Sequence, residues 1–89
     1  MSAPSPHPVP TIKLADWQHL RWHKDTRYYE ATLEQDLWGR WLFVRRWGRR
    51  SYRSGQSKAI ACDSYEQGLR LLEDVTKRRT QRGYRLITT

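Results

Sequence analysis

The sequence predicts an α+β domain, an antiparallel β-sheet meander with one amphipathic helix packed across it. Two observations lead there. Between residues 18 and 62, short runs of strand-forming residues alternate in character and are separated by turn-forming ones. From Ser64 onward the apolar spacing changes from a period of two to a helical period.

Taken in order, Gln18 to Trp22 is a weakly alternating strand with Leu20 and Trp22 on one side, and Asp25-Thr26 suits a turn. Tyr28 to Leu33 is rich in strand formers, with Tyr29, Ala31 and Leu33 sharing a face. Asp36 to Arg40 holds the next turn, where Gly39 can take a positive φ. Trp41 to Trp47 is the strongest strand. Trp41, Phe43, Arg45 and Trp47 project to one side of it, and Leu42, Val44 and Arg46 to the other. Ser51 to Gln56 is a polar loop and Ser57 to Cys62 a further short strand. Ser64 and Gln67 then form a capping box. Tyr65, Leu69, Leu72 and Val75 follow at helical spacing, opposite Arg70, Glu73, Asp74, Lys77 and Arg78. The helix is expected from Tyr65 to about Arg79, ending before Gly83, with a short terminal strand over Tyr84 to Ile87.

The 89 residues allow one domain. Met1 to Thr11 holds all four prolines and no charged side chain, so residues 1–12 are expected to be a disordered tail and 13–89 the folded unit. Seventeen Lys and Arg against nine Asp and Glu give a net charge of +8. That excess bears on partners, favouring phosphate-bearing polymers or anionic surfaces. Cys62 is the single cysteine, so neither an internal disulfide nor a thiolate zinc site is available, and a reducing compartment fits. The sequence shows no membrane span and no signal peptide, and a cytoplasmic monomer is expected.

Two basic stretches contain no acid. Arg40 to Lys58 carries Arg40, Arg45, Arg46, Arg49, Arg50, Arg53 and Lys58. Lys77, Arg78, Arg79, Arg82 and Arg85 form the second. Trp41, Trp47, Tyr52 and Tyr84 interleave with them. Arginine binds phosphate bidentately, and aromatic rings offer platforms to unpaired bases. His19 and His23, four apart on a strand, are read as surface histidines rather than metal ligands, and Cys62 as a small buried hydrophobe. No nucleophile elbow, phosphate loop or paired-carboxylate motif is present, so no enzyme activity and no cofactor is expected.

Trp-Gly-Arg occurs twice, at Trp38-Gly39-Arg40 and Trp47-Gly48-Arg49. Around the second copy an ordered set of features accumulates. Tyr28-Tyr29 starts a strand, and Leu37-Trp38-Gly39-Arg40-Trp41 forms a turn. Phe43 and Arg45 lead to the motif, and Gly55-Gln56-Ser57-Lys58 follows it. Ser64 starts the helix, and the unit closes on Lys77-Arg78-Arg79-Thr80 and Gly83-Tyr84. This set resembles the WGR domain, including its small stand-alone bacterial type and the module beside the catalytic domain of DNA-dependent poly(ADP-ribose) polymerases. The chain departs at Arg50-Ser51, where the family usually has an apolar residue and Gly.

The resemblance implies a non-enzymatic module that binds nucleic acid, DNA above all, at ends or breaks. RNA stays open as the polymer, and a module docking an acidic protein partner is the alternative function. A membrane role is disfavoured because the helix carries Glu66, Glu73 and Asp74. The residues expected at the interface are Trp47, Gly48, Arg49, Arg50, Arg53, Lys58, Arg79, Arg82 and Tyr84. Trp47 has two readings, as core and as a contact to a terminal nucleotide. Gly48 is expected to let a partner backbone approach closely. Arg45 is read as a structural arginine stacked between rings.

Overall fold

The computed structural model describes residues 12–87; the tail expected over residues 1–11 lies outside them. Strands β1 (Gln18–Lys24), β2 (Arg27–Gln35), β3 (Trp41–Arg49) and β4 (Gln56–Ala61) form an antiparallel meander. Helix α1 (Tyr65–Gln81) crosses it, and β5 (Arg85–Ile87) returns to pair with β1. The sheet order is β4-β3-β2-β1-β5. A single 3₁₀ turn at Leu14–Asp16, absent from the sequence reading, precedes β1.

Register explains where the core lies. Leu20 faces Ala31, Trp22 faces Tyr29, Leu33 faces Phe43 and Tyr29 faces Trp47, so the apolar sets of neighbouring strands share one side. Trp22, Tyr29, Ala31, Phe43 and Leu72 of α1 form the buried cluster on that side. β1, β2 and β3 run longer than expected, β4 is shifted by one residue and β5 is one residue shorter. β3 continues through Gly48 and Arg49 because these still pair with Tyr28 and Arg27.

Both tight turns follow their local chemistry. Asp25 takes a φ of 54° between β1 and β2, a conformation that Asp tolerates better than most residues. Gly39 takes φ 84° at the β2–β3 turn. There Asp36 Oδ1 accepts from the amides of Trp38 and Arg40, and Oδ2 accepts from Arg40 Nε at 2.8 Å. The first Trp-Gly-Arg is therefore a hairpin turn, as expected.

Helix α1 is fixed at both ends. Ser64 Oγ accepts from the Gln67 amide at 3.1 Å, and Gln67 Oε1 accepts in return from the Asp63 amide. The face against the sheet differs by one position from the expected one. Gly68 and Leu72 are buried, whereas Leu69 is 37% exposed. The reason is close approach: a Cβ on Gly68 would lie 2.3 Å from Leu33 Cδ1, and Leu33 has no exposed surface to give. Gly68→Val is therefore expected to destabilise the domain by about 1–3 kcal/mol through overpacking, more than the small gain in helix propensity returns. Thermal melts followed by circular dichroism check this, and an unchanged Tm would contradict the packing described.

At its C-terminus α1 extends two residues past the expected Arg79, to Gln81. Gly83, at φ 84°, then reverses the chain. The Gly83 amide donates to Thr80 O at 3.1 Å and the Tyr84 amide to Arg79 O at 2.9 Å. This pair of bonds is a Schellman closure, and it folds Tyr84 back onto the last helical turn.

Candidate nucleic-acid interface

That reversal creates an open cleft of about 390 Å³ between the end of α1 and the adjoining ends of β2 and β3. Tyr29, Trp47 and Tyr84 supply its aromatic surface, and Arg27, Arg45, Arg79 and Arg82 its charge. No acidic side chain lines it.

The aromatics are layered. The rings of Tyr29 and Trp47 are stacked, 6.1 Å apart and 16° from parallel. Tyr84 meets Tyr29 edge-on at 6.5 Å. The guanidinium of Arg79 lies between two of these rings, 4.3 Å from Tyr29 and 5.0 Å from Tyr84. Arg45 approaches Trp47 at 5.9 Å. The structural arginine held between rings is thus Arg79, not Arg45 as the sequence suggested. Arg45 has one ring beside it, because Trp41, two turns of the pleat away, packs instead on Tyr65 at 4.6 Å.

Among the described residues neither guanidinium has a carboxylate partner. The Nε atoms of Arg45 and Arg79 are buried and have no hydrogen-bond partner among the described residues. Lys24 completes the rim: its Nζ donates to Arg82 O at 2.6 Å and lies 5.9 Å from the Tyr84 ring.

Comparison with known families bears on this arrangement directly. The WGR domain matches over residues 15–89. The chain belongs to the WGR family. No curated protein and no solved structure matches it. The family is one of non-catalytic modules of the nucleic-acid-binding type.

Within this WGR domain the expected interface residues separate into groups. Trp47, Gly48, Arg79, Arg82 and Tyr84 meet in the cleft, although 32 positions separate Trp47 from Arg79. Trp47 is half-buried, stacked on Tyr29 and packed against the core while also lining the cleft, so both readings of it hold in part. Lys58 stands opposite Arg45 on β4 and shares its side of the sheet, exposed next to the cleft. Arg49 is exposed at the end of β3, with its guanidinium 5.6 Å over the Tyr52 ring. Arg53 is exposed in the loop before β4. Arg50 does not join them. It lines a separate depression with Arg21 and His23.

Gly48 permits a close approach inside the domain as well as lining the cleft. A Cβ there would meet Gly55 Cα at 3.2 Å and Tyr28 Cε1 at 3.3 Å, so the close approach it permits is internal. Gly55 is tighter still, at 2.5 Å from the Tyr28 hydroxyl. The two glycines make room for the Tyr28 ring. Tyr28, Tyr29 and Arg27 were missed as cleft residues; the Tyr-Tyr strand start was visible in the sequence, but its neighbours across the sheet were not.

Outside the cleft, His19 is exposed as expected, whereas His23 is half-buried. His19 Nε2 pairs with Glu30 at 2.8 Å. Among the described residues no group of His, Cys, Asp and Glu could hold a metal ion. Cys62 packs against the core, and burial pushes its thiol up from the ordinary range. No described helix is long and apolar enough to cross a membrane.

Proposed function

We propose that this WGR domain binds DNA, with a preference for ends and breaks, by seating a backbone phosphate and its terminal nucleotide in the Trp47–Arg79–Tyr84 cleft. The observation that carries this reading is an acid-free cleft in which Arg27, Arg45, Arg79 and Arg82 stand beside the rings of Trp47 and Tyr84. Charge-assisted bonds from arginine suit a phosphate. The ring surfaces suit a base or sugar, at about 1–3 kcal/mol per stacked base. A continuous duplex keeps its base faces within the stack, so an end, nick or single strand offers what the rings can use. Arg27, Arg49, Lys58 and Arg82 extend the charge on the same side of the sheet.

Competition between a closed circular plasmid and the same plasmid nicked or linearised tests the reading. The broken forms are expected to compete better per base pair, with an RNA duplex as the comparison polymer. Equal competition would sink the end preference. Arg45→Gln is expected to weaken binding about tenfold or more, as loss of one charge-assisted phosphate contact, with little change in Tm. Arg79→Gln should lower both affinity and Tm, because its guanidinium also fills the space between Tyr29 and Tyr84. Parent-like binding by both variants would remove the cleft as the binding surface.

A further inference from the structure

The side of the sheet facing away from α1 carries a second basic concavity. Pairing places Arg21 and His23 of β1, Tyr28 and Glu30 of β2, Arg46 of β3 and Arg85 of β5 on that side. Just beyond β3, Arg50 and Ser51 close a depression of about 430 Å³ over Arg21, His23 and the Asp25-Thr26 turn. Its parts are held in place. The Arg50 amide donates to Thr26 O at 2.7 Å and its guanidinium to Asp25 O at 3.3 Å. Arg21 Nε donates to His23 Nε2 at 2.9 Å, and its guanidinium lies 4.7 Å over Tyr28.

Positive charge is in excess here, although Asp25 also lines the depression. Glu30 is occupied by Arg21 and His19. Arg50 and Arg85 have no carboxylate partner among the described residues.

We propose that this depression is a second phosphate site, which lets one domain hold two segments of nucleic acid, one on each side of its sheet. Arg50 and Arg85 supply the charge, Ser51 a hydroxyl donor, and His23 an Nδ1–H donor, its Nε2 accepting from Arg21. Bridging rests on the cleft binding nucleic acid; the phosphate site itself does not. In the free protein, burial and the charges of Arg50, Arg21 and Arg85 hold the His23 imidazole below its ordinary range, with Glu30 alone opposing them. Asp25 and the Tyr28 hydroxyl are the other titratable groups close by. A phosphate seated there favours the imidazolium and raises that value. By linkage, affinity at this site increases as pH falls through the His23 titration.

The test has two arms. In the first, the His23 imidazole is titrated by NMR without and with inorganic phosphate, then with a short blunt duplex, with His19 as the internal reference. An upward shift at His23 and not at His19, with both ligands, is expected. No shift with either overturns the site, and a shift with inorganic phosphate alone overturns the nucleic-acid segment. In the second arm, two differently labelled duplexes are brought together by the protein and read by energy transfer. Arg85→Gln, and separately Arg50→Val with Ser51→Gly, are expected to cut bridging about tenfold while one duplex remains bound. Parent-like bridging by both variants overturns the proposal. Arg45→Gln separates the two readings: if it leaves single-duplex binding intact the cleft reading fails, whereas the His23 shift with inorganic phosphate is unaffected.

Discussion

Between 50 and 200 mM salt, the affinity of the WGR domain for a short blunt duplex is expected to fall about 10²–10³-fold. The cleft side of the sheet presents Arg27, Arg45, Arg49, Lys58, Arg79 and Arg82. Four to six phosphate contacts from this set, at about −0.9 each, give a slope of log K against log salt of roughly −3.6 to −5.4. The slope is expected to be only weakly sequence-dependent. The exposed face of α1, the one helix of more than one turn among the described residues, carries Glu66, Glu73 and Asp74, which DNA repels. Arg45→Gln should reduce the slope by about one contact, or roughly 0.9. Titrations on one duplex at four or five salt concentrations, at protein in excess so that one segment is held, measure it. An affinity that does not change with salt would exclude phosphate neutralisation as the main source of binding.

Trp22→Ala is expected to lower the melting temperature of the domain by roughly 12–40 °C. Trp22 is 1% exposed, meets Tyr29 edge-on at 6.0 Å and is the largest fully buried side chain in the core. Truncating a buried Trp costs about 3–5 kcal/mol. A folded unit of roughly 75 residues has a total stability of about 4–11 kcal/mol. Each kcal/mol lost shifts Tm by about 4–8 °C in a domain of this size, so a loss of roughly 12–40 °C follows. The effect should reach the cleft as well, because the Tyr29 ring that Trp22 supports is the one on which both Trp47 and Arg79 rest. Calorimetry or circular dichroism decides it. A variant melting within a few degrees of the parent would mean that the core is not centred where the structure places it.

The meander, both hairpin turns and the helix start were legible because each depends on neighbours in the chain. Alternation along β2 and β3 marks a buried face. Asp25, Asp36 and Gly39 satisfy their own turns, and Ser64 with Gln67 caps its own helix. The two acid-free basic stretches were equally visible, and so was the placing of the first Trp-Gly-Arg in a turn and the second on the central strand.

What the sequence could not decide was which basic residues meet. A period of two assigns Arg45 and Trp47 to one side of β3 and Arg46 to the other, but does not say which arginine from elsewhere completes a stack. The helix brings Arg79 to Tyr29 and Tyr84, taking the place that sequence spacing assigned to Arg45. Gly48 looked open to a partner until Tyr28 and Gly55 were seen against it. Arg50, one residue past the motif, turned to the opposite side of the sheet through its bond to Thr26. Local structure follows from short-range sterics and hydrogen bonds that a few adjacent residues fix among themselves. The composition of the cleft depends instead on contacts between residues distant in the chain, which exist only once the helix has packed on the sheet.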